Sequence, residues 1–96
     1  DPRAVTAALQ TIAREVAPSG VRVNVVAPGP VDTPFFARGM SGDELDRVRQ
    51  ERALVIPLGR IGRADEIATV ILFLLGKGSA HMTGQVLPVE GGEMMR

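Results

Sequence analysis

The chain has 96 residues, 45% hydrophobic and 23% charged, with 11 Lys plus Arg against 11 Asp plus Glu. That length allows one domain at most, and the balanced charge offers no basic field to nucleic acid or to an anionic membrane. Cys is absent, which excludes disulfides, thiol catalysis and Cys-ligated zinc, and no apolar run reaches the roughly 18 residues of a membrane span.

Asp1-Pro2 reads as an N-cap followed by Pro at the first helical position. Val5, Ala8, Leu9, Ile12, Ala13 and Val16 then recur at helical spacing and predict a stripe that packs on a sheet. This opening has no basic region followed by an apolar core, so it does not read as a signal peptide, and a cytoplasmic setting is expected. Pro18-Ser19-Gly20 ends the helix.

Val21 to Ala27 is a β-branched run, apolar at nearly every step and interrupted at Asn24, and predicts a strand over 21–27 covered on both faces. It stops at Pro28-Gly29-Pro30, a loop that cannot continue as sheet. Ligands of open parallel sheets bind just beyond the carboxyl ends of the strands, so Pro28 to Thr33 is the first place to look for one.

Ser41-Gly42-Asp43-Glu44 has the form of a capping box. The helix it starts, about 42–54, is polar, with Leu45, Val48 and Leu54 as its main apolar contacts. Such a helix cannot be deeply packed, which suits either a solvated surface or a mobile flap. Pro57 to Gly62 reads as a turn. Arg60 and Arg63 beside Asp65 and Glu66 read as charges around a loop and helix start rather than a phosphate site. The helix over 64–75 is apolar almost all round in its second half and predicts burial on most sides. His81 is the only His and reads as structural; one His without Cys makes no zinc site. Gln85 to Val89 predicts a short edge strand because of Pro88. Strand 21–27 should lie parallel to strand 85–89, joined through helix 64–75 by a right-handed crossover. So few elements leave apolar faces open unless a partner covers them.

Three ordered stretches resemble the short-chain dehydrogenases/reductases. They are Arg22-Val23-Asn24-Val25-Val26-Ala27-Pro28-Gly29 with Val31-Asp32-Thr33-Pro34, then Pro57-Leu58-Gly59-Arg60-Ile61-Gly62, then Thr83-Gly84-Gln85-Val86-Leu87 with Val89-Glu90-Gly91-Gly92. The likeness covers nearly the whole chain and is to the C-terminal part of that family. It implies an α/β fold: the last two strands, crossover helix and substrate-loop helices of a Rossmann-type doubly wound parallel sheet. Residues 1–96 would then be a single partial domain, with 34–57 as a substrate lid.

The resemblance also implies hydride transfer between NAD or NADP and a small-molecule carbonyl or alcohol. In the family a Tyr is the acid/base, a Lys four residues later supports it, and a Ser orients substrate. This chain has no Tyr, and by family spacing the Lys falls at about Pro2. The glycine-rich dinucleotide loop has no counterpart, so no residue here is assigned catalysis. What carries over is the nicotinamide side: Pro28 and Gly29 against the ring, Val31 through its backbone to the carboxamide, and Thr33 through its hydroxyl. Phe35, Phe36 and Met40 would form an apolar part of the lid. A homo-oligomer is implied through helix 64–75 and strand 85–89, with Ile71, Leu74 and Leu75 in contact. Two readings follow: the C-terminal segment of an oxidoreductase, or a non-catalytic remnant or dimerising module on the same scaffold.

Overall fold

The computed structural model describes residues 1–95. The elements in order are α1 (Pro2–Val16), β1 (Val25–Pro28), β2 (Val31–Asp32), α2 (Gly42–Val55), β3 (Gly62–Arg63), α3 (Ala64–Leu75) and β4 (Val86–Val89). Short 3₁₀ turns at Ala17–Ser19 and Lys77–Ser79 follow α1 and α3. β1 pairs with β4 in one two-stranded sheet, and β2 with β3 in another. The chain divides into two compact units, residues 1–27 with 69–87 and residues 28–68 with 88–96.

In the first unit, α1 starts as its sequence demands. Asp1 Oδ1 accepts from the Arg3 N–H at 2.9 Å, and Pro2 follows the cap. Gly20, at φ 78°, takes the left-handed conformation that ends the following turn at no steric cost. Two of the six residues of the apolar stripe are buried, Leu9 and Ala13, whereas Val5 and Ile12 stay 58% and 50% exposed. Ala13 sits against Gly84, where an added Cβ would lie 3.6 Å from its own.

The expected strand over 21–27 begins four residues late. Val23 donates its N–H to Thr83 Oγ1 at 3.1 Å, Gln85 donates to Asn24 Oδ1 at 3.1 Å, and Asn24 Nδ2 donates to Met82 O at 3.1 Å. Side chains thus replace ladder bonds over 22–24, and the regular strand starts at Val25. Gly84 N–H bonds Val23 O, and Val25 N–H bonds Gln85 O. The partners ascend together, so the two segments run parallel.

Arg22 joins this region to the end of α3. Its Nη1 donates to Ser79 O at 2.7 Å, Ser79 Oγ at 3.1 Å and Met82 O at 3.1 Å. Its Nη2 donates to Leu74 O at 2.8 Å and Gly76 O at 3.4 Å. These include carbonyls that a helix C-terminus leaves without partners, and a cation is favoured there. Ser79 is 1% exposed, its hydroxyl 2.8 Å from Phe73 O.

α3 is apolar all round, but this chain does not cover it. None of its residues is buried, and Leu72 and Leu75 are 68% and 76% exposed. The expected burial on most sides is therefore absent, because too few elements exist to supply it.

In the second unit, Ile56 and Ile61 are the buried apolar side chains. α2 has its N-cap bond from Glu44 N–H to Ser41 Oγ at 3.2 Å, but Glu44 makes no return bond. Leu45 and Val48 are half-buried, and Leu54 is exposed. The stretch 57–62 is not turn throughout: Gly62–Arg63 forms β3, parallel to β2, in the register Val31↔Gly62 and Asp32↔Arg63. Between Thr33 and Gly39 there are turns and no helix, so α2 is the one helix of the segment 34–57. Arg60 grips Glu66 with both terminal nitrogens, each at 2.7 Å, and Arg63 N–H bonds Glu66 Oε1 at 2.8 Å. This fixes the turn onto the first residues of α3. Among the described residues, no helix is long and apolar enough to cross a membrane.

Two outcomes are expected. Arg22→Met leaves several carbonyls without their donor and should cost about 2 kcal/mol; Arg22→Lys should recover only part, because one ammonium cannot span both ends of the fork. An unchanged urea midpoint for Arg22→Met would refute this. The Arg60 bond, then the Arg63 N–H, hold the Glu66 carboxyl down to about 2 from its ordinary 4.5. A depressed value means the stabilisation is full above 4.5 and is lost as pH falls toward 2. Urea midpoints measured across that window should fall less steeply for Glu66→Gln than for the parent.

Candidate functional site

All seven residues singled out in the sequence lie in the second unit, on the segment that leaves β1. Pro28 is the last residue of β1 and is exposed. Gly29 donates its N–H to Val89 O at 3.0 Å. A Cβ on Gly29 would lie 2.7 Å from Glu90 Cβ and 3.0 Å from Glu90 Cα. The seam between the two chain segments therefore requires glycine whether or not a ring lies on the backbone there.

The register of β2 decides which backbone groups of Val31 are available. Gly62 donates its N–H to Pro30 O at 2.9 Å, and Gly62 stands opposite Val31. In a parallel ladder one residue of each facing pair bonds to the two neighbours of the other. Here that residue is Gly62, so the N–H and C=O of Val31 point away from β3. One donor and one acceptor, a peptide unit apart, are what a primary carboxamide needs.

Thr33 starts the turn that follows. Its Oγ1 accepts from Phe36 N–H at 3.2 Å, and its carbonyl accepts from Ala37 N–H at 3.2 Å. The hydroxyl hydrogen remains to donate to a carbonyl or phosphate oxygen. The turn carries Phe35 outward, 80% exposed; Phe36 is half-buried and Met40 is 36% exposed. The three make an apolar surface rather than an enclosed pocket. A nearby concavity of about 90 Å³ has Pro30, Gly62, Glu66 and Glu90 in its wall.

The structure adds residues that the sequence did not single out. Arg49 on α2 donates through Nη2 to Asp32 Oδ1 at 2.8 Å and through Nη1 to Asp46 Oδ1 at 3.3 Å. The bond to Asp32 raises the guanidinium above its ordinary value, against desolvation that lowers it. Arg49 Nε is buried without a partner, which offsets part of the gain. Three residues on, Arg52 donates to Glu93 Oε1 at 2.6 Å. Glu90 accepts from Gly92 N–H at 3.1 Å and Met94 N–H at 2.7 Å, shaping the turn after β4. The signal for the first pair was a carboxylate between two candidate residues and two Arg at i, i+3 on a polar helix. Among the described residues, no group of three His, Asp or Glu is placed to hold a metal ion.

Comparison with known proteins gives a consistent result. A family model described as "Enoyl-(Acyl carrier protein) reductase" matches residues 3–93. An uncharacterised oxidoreductase, YmfI of Bacillus subtilis, is 46% identical over 81 residues, which are 84% of this chain and 31% of that protein. The 3-oxoacyl-[acyl-carrier-protein] reductase FabG of Thermotoga maritima is 44% identical over 84 residues, 86% of this chain and 32% of that protein. The crystal structure of 3-oxoacyl-[acyl-carrier protein] reductase from Brucella melitensis superposes with a TM-score of 0.83 at 34% identity, over 98% of this chain and 33% of that one. The chain thus spans about a third of the length of these relatives.

Proposed function

Because the chain belongs to the short-chain dehydrogenase/reductase family, and has the α/β fold of that family's C-terminal part, we propose that it forms the nicotinamide side and substrate lid of an NAD(P)-dependent oxidoreductase. The observation that carries this reading is the register of β2, which turns the N–H and C=O of Val31 away from β3, just beyond the end of β1. The carboxamide of NAD or NADP would meet that pair, and the Thr33 hydroxyl would add one bond to the carboxamide or a nearby phosphate. Pro28 and Gly29 would back the ring. The bound cofactor supplies or takes the hydride. This chain's residues hold the ring in one orientation and, through Phe35, Phe36 and Met40 of segment 34–57, keep water from the reacting carbon. The substrate would be a carbonyl or alcohol, in a cytoplasmic setting. The acid/base step belongs to a Tyr that these 96 residues lack.

A second reading, a dimerising module, is favoured by one observation: Leu72 and Leu75 of α3 lie open beside half-exposed Ile71 and Phe73, with Leu74 half-buried. Each such side chain is worth roughly 1.5–3 kcal/mol when covered. The two readings are compatible, and self-association through α3 and β4 is part of the proposal.

The test is a chimaera with residues 1–96 placed behind the N-terminal two-thirds of a curated relative. The 96-residue chain alone should show no NADH- or NADPH-dependent turnover of a carbonyl, and the chimaera should show it. In the chimaera, Thr33→Val should weaken cofactor binding by about 1 kcal/mol, one net hydrogen bond, and Val31→Ala should matter less. A cofactor titration that cannot separate Thr33→Val from the parent sinks the loop assignment. For assembly, sedimentation of the 96-residue chain at micromolar concentration should give a species heavier than 10.2 kDa, shifted toward monomer or precipitated by Leu75→Glu. A compact monomer of the parent chain at that concentration rules the association out.

A further inference from the structure

We infer that Arg49 is a positioning residue that couples helix α2 to the Val31–Thr33 segment through Asp32. For its meaning in cofactor binding this rests on the function proposed above; the coupling itself does not.

α2 has no buried residue, so packing does little to fix where it lies. Two arginines three residues apart occupy one side of it, and each reaches a carboxylate outside the helix. Their partners differ in kind. Arg52 reaches Glu93, in the turn that follows β4. Arg49 reaches Asp32, which lies between Val31 and Thr33. β2 is two residues long and bracketed by Pro30 and Pro34, so its ladder bonds alone leave Asp32 little restraint. Asp46, one turn earlier on α2, holds the other terminal nitrogen of Arg49 and aims the fork before it meets Asp32. The fork bridges two carboxylates, a geometry that a Lys ammonium does not reproduce. Any movement of α2 that breaks the bridge therefore frees Asp32, and with it the neighbouring Val31 backbone. A movement that breaks only Arg52–Glu93 does not.

This asymmetry supplies an internal control. Amide hydrogen exchange of the 96-residue chain, followed in peptides covering 31–33 and 42–55, should respond differently to two variants. Arg49→Met should speed exchange in both peptides by about two- to fivefold, the factor an exposed ion pair carries. Arg52→Met should speed 42–55 alone. Arg49→Asp combined with Asp32→Arg should restore the parent rates at 31–33. About 1 M salt should mimic Arg49→Met, since it screens exposed pairs. The coupling is overturned if Arg49→Met leaves 31–33 unchanged, or if Arg52→Met affects 31–33 as strongly. A cofactor titration of the chimaera separates the two layers. If exchange at 31–33 rises in Arg49→Met while cofactor affinity holds, the coupling stands and the nicotinamide assignment falls.

Discussion

The guanidinium of Arg22 is the interaction on which the first unit depends. It joins the C-terminal end of α3, the 3₁₀ turn after it, and Met82 ahead of β4. Leu9 and Ala13 are the buried apolar side chains among the described residues of that unit, too few to fix where α3 stops and where the returning chain runs. Five acceptors converging on one planar cation do so by direction and distance. The same group explains the irregular start of β1: with Arg22 turned toward Ser79 and Asn24 toward Met82, the backbone at 22–24 has no regular ladder to join.

The second unit is held on a similar principle with different chemistry. α2 carries Asp43 and Glu44 in its first turn and Arg52 in its last, an arrangement that suits its dipole but contributes little burial. Charges at its side fix it instead. Exposed ion pairs are individually weak and sensitive to salt. A helix held this way is easily displaced.

Helices were legible in the sequence because their signals are local. Asp1-Pro2, Ser41 and Gly76 mark ends, and the apolar stripe of α1 marks a face. The ends of α2 and α3 accordingly fall where expected to within a residue. What the sequence hid depends on contacts between distant residues. Nothing in Val21-Arg22-Val23-Asn24 announces that Thr83 and Met82, some sixty positions on, will take the bonds of a strand. β3 is two residues long and contains a Gly, so it has no alternation to detect. The candidate residues were singled out by their place after a strand and by family likeness, but Asp32 and Arg49 are seventeen positions apart, and only the fold brings them together. The burial expected for α3 failed for a different reason: its composition states a demand for cover, and composition does not supply the elements that would meet it.

The orientation of Val31 has a consequence for how this region tolerates change. Its two outward groups belong to the main chain, so the contact they offer is independent of which side chain the position carries. Substitutions that keep the backbone path leave the donor and acceptor in place, and the residue type at 31 is free to adjust packing. Proline is the exception: it deletes the N–H while keeping the carbonyl. In the role proposed for it, such a pair is nearly invisible to side-chain scanning, and a residue that tolerates every replacement but one is its signature.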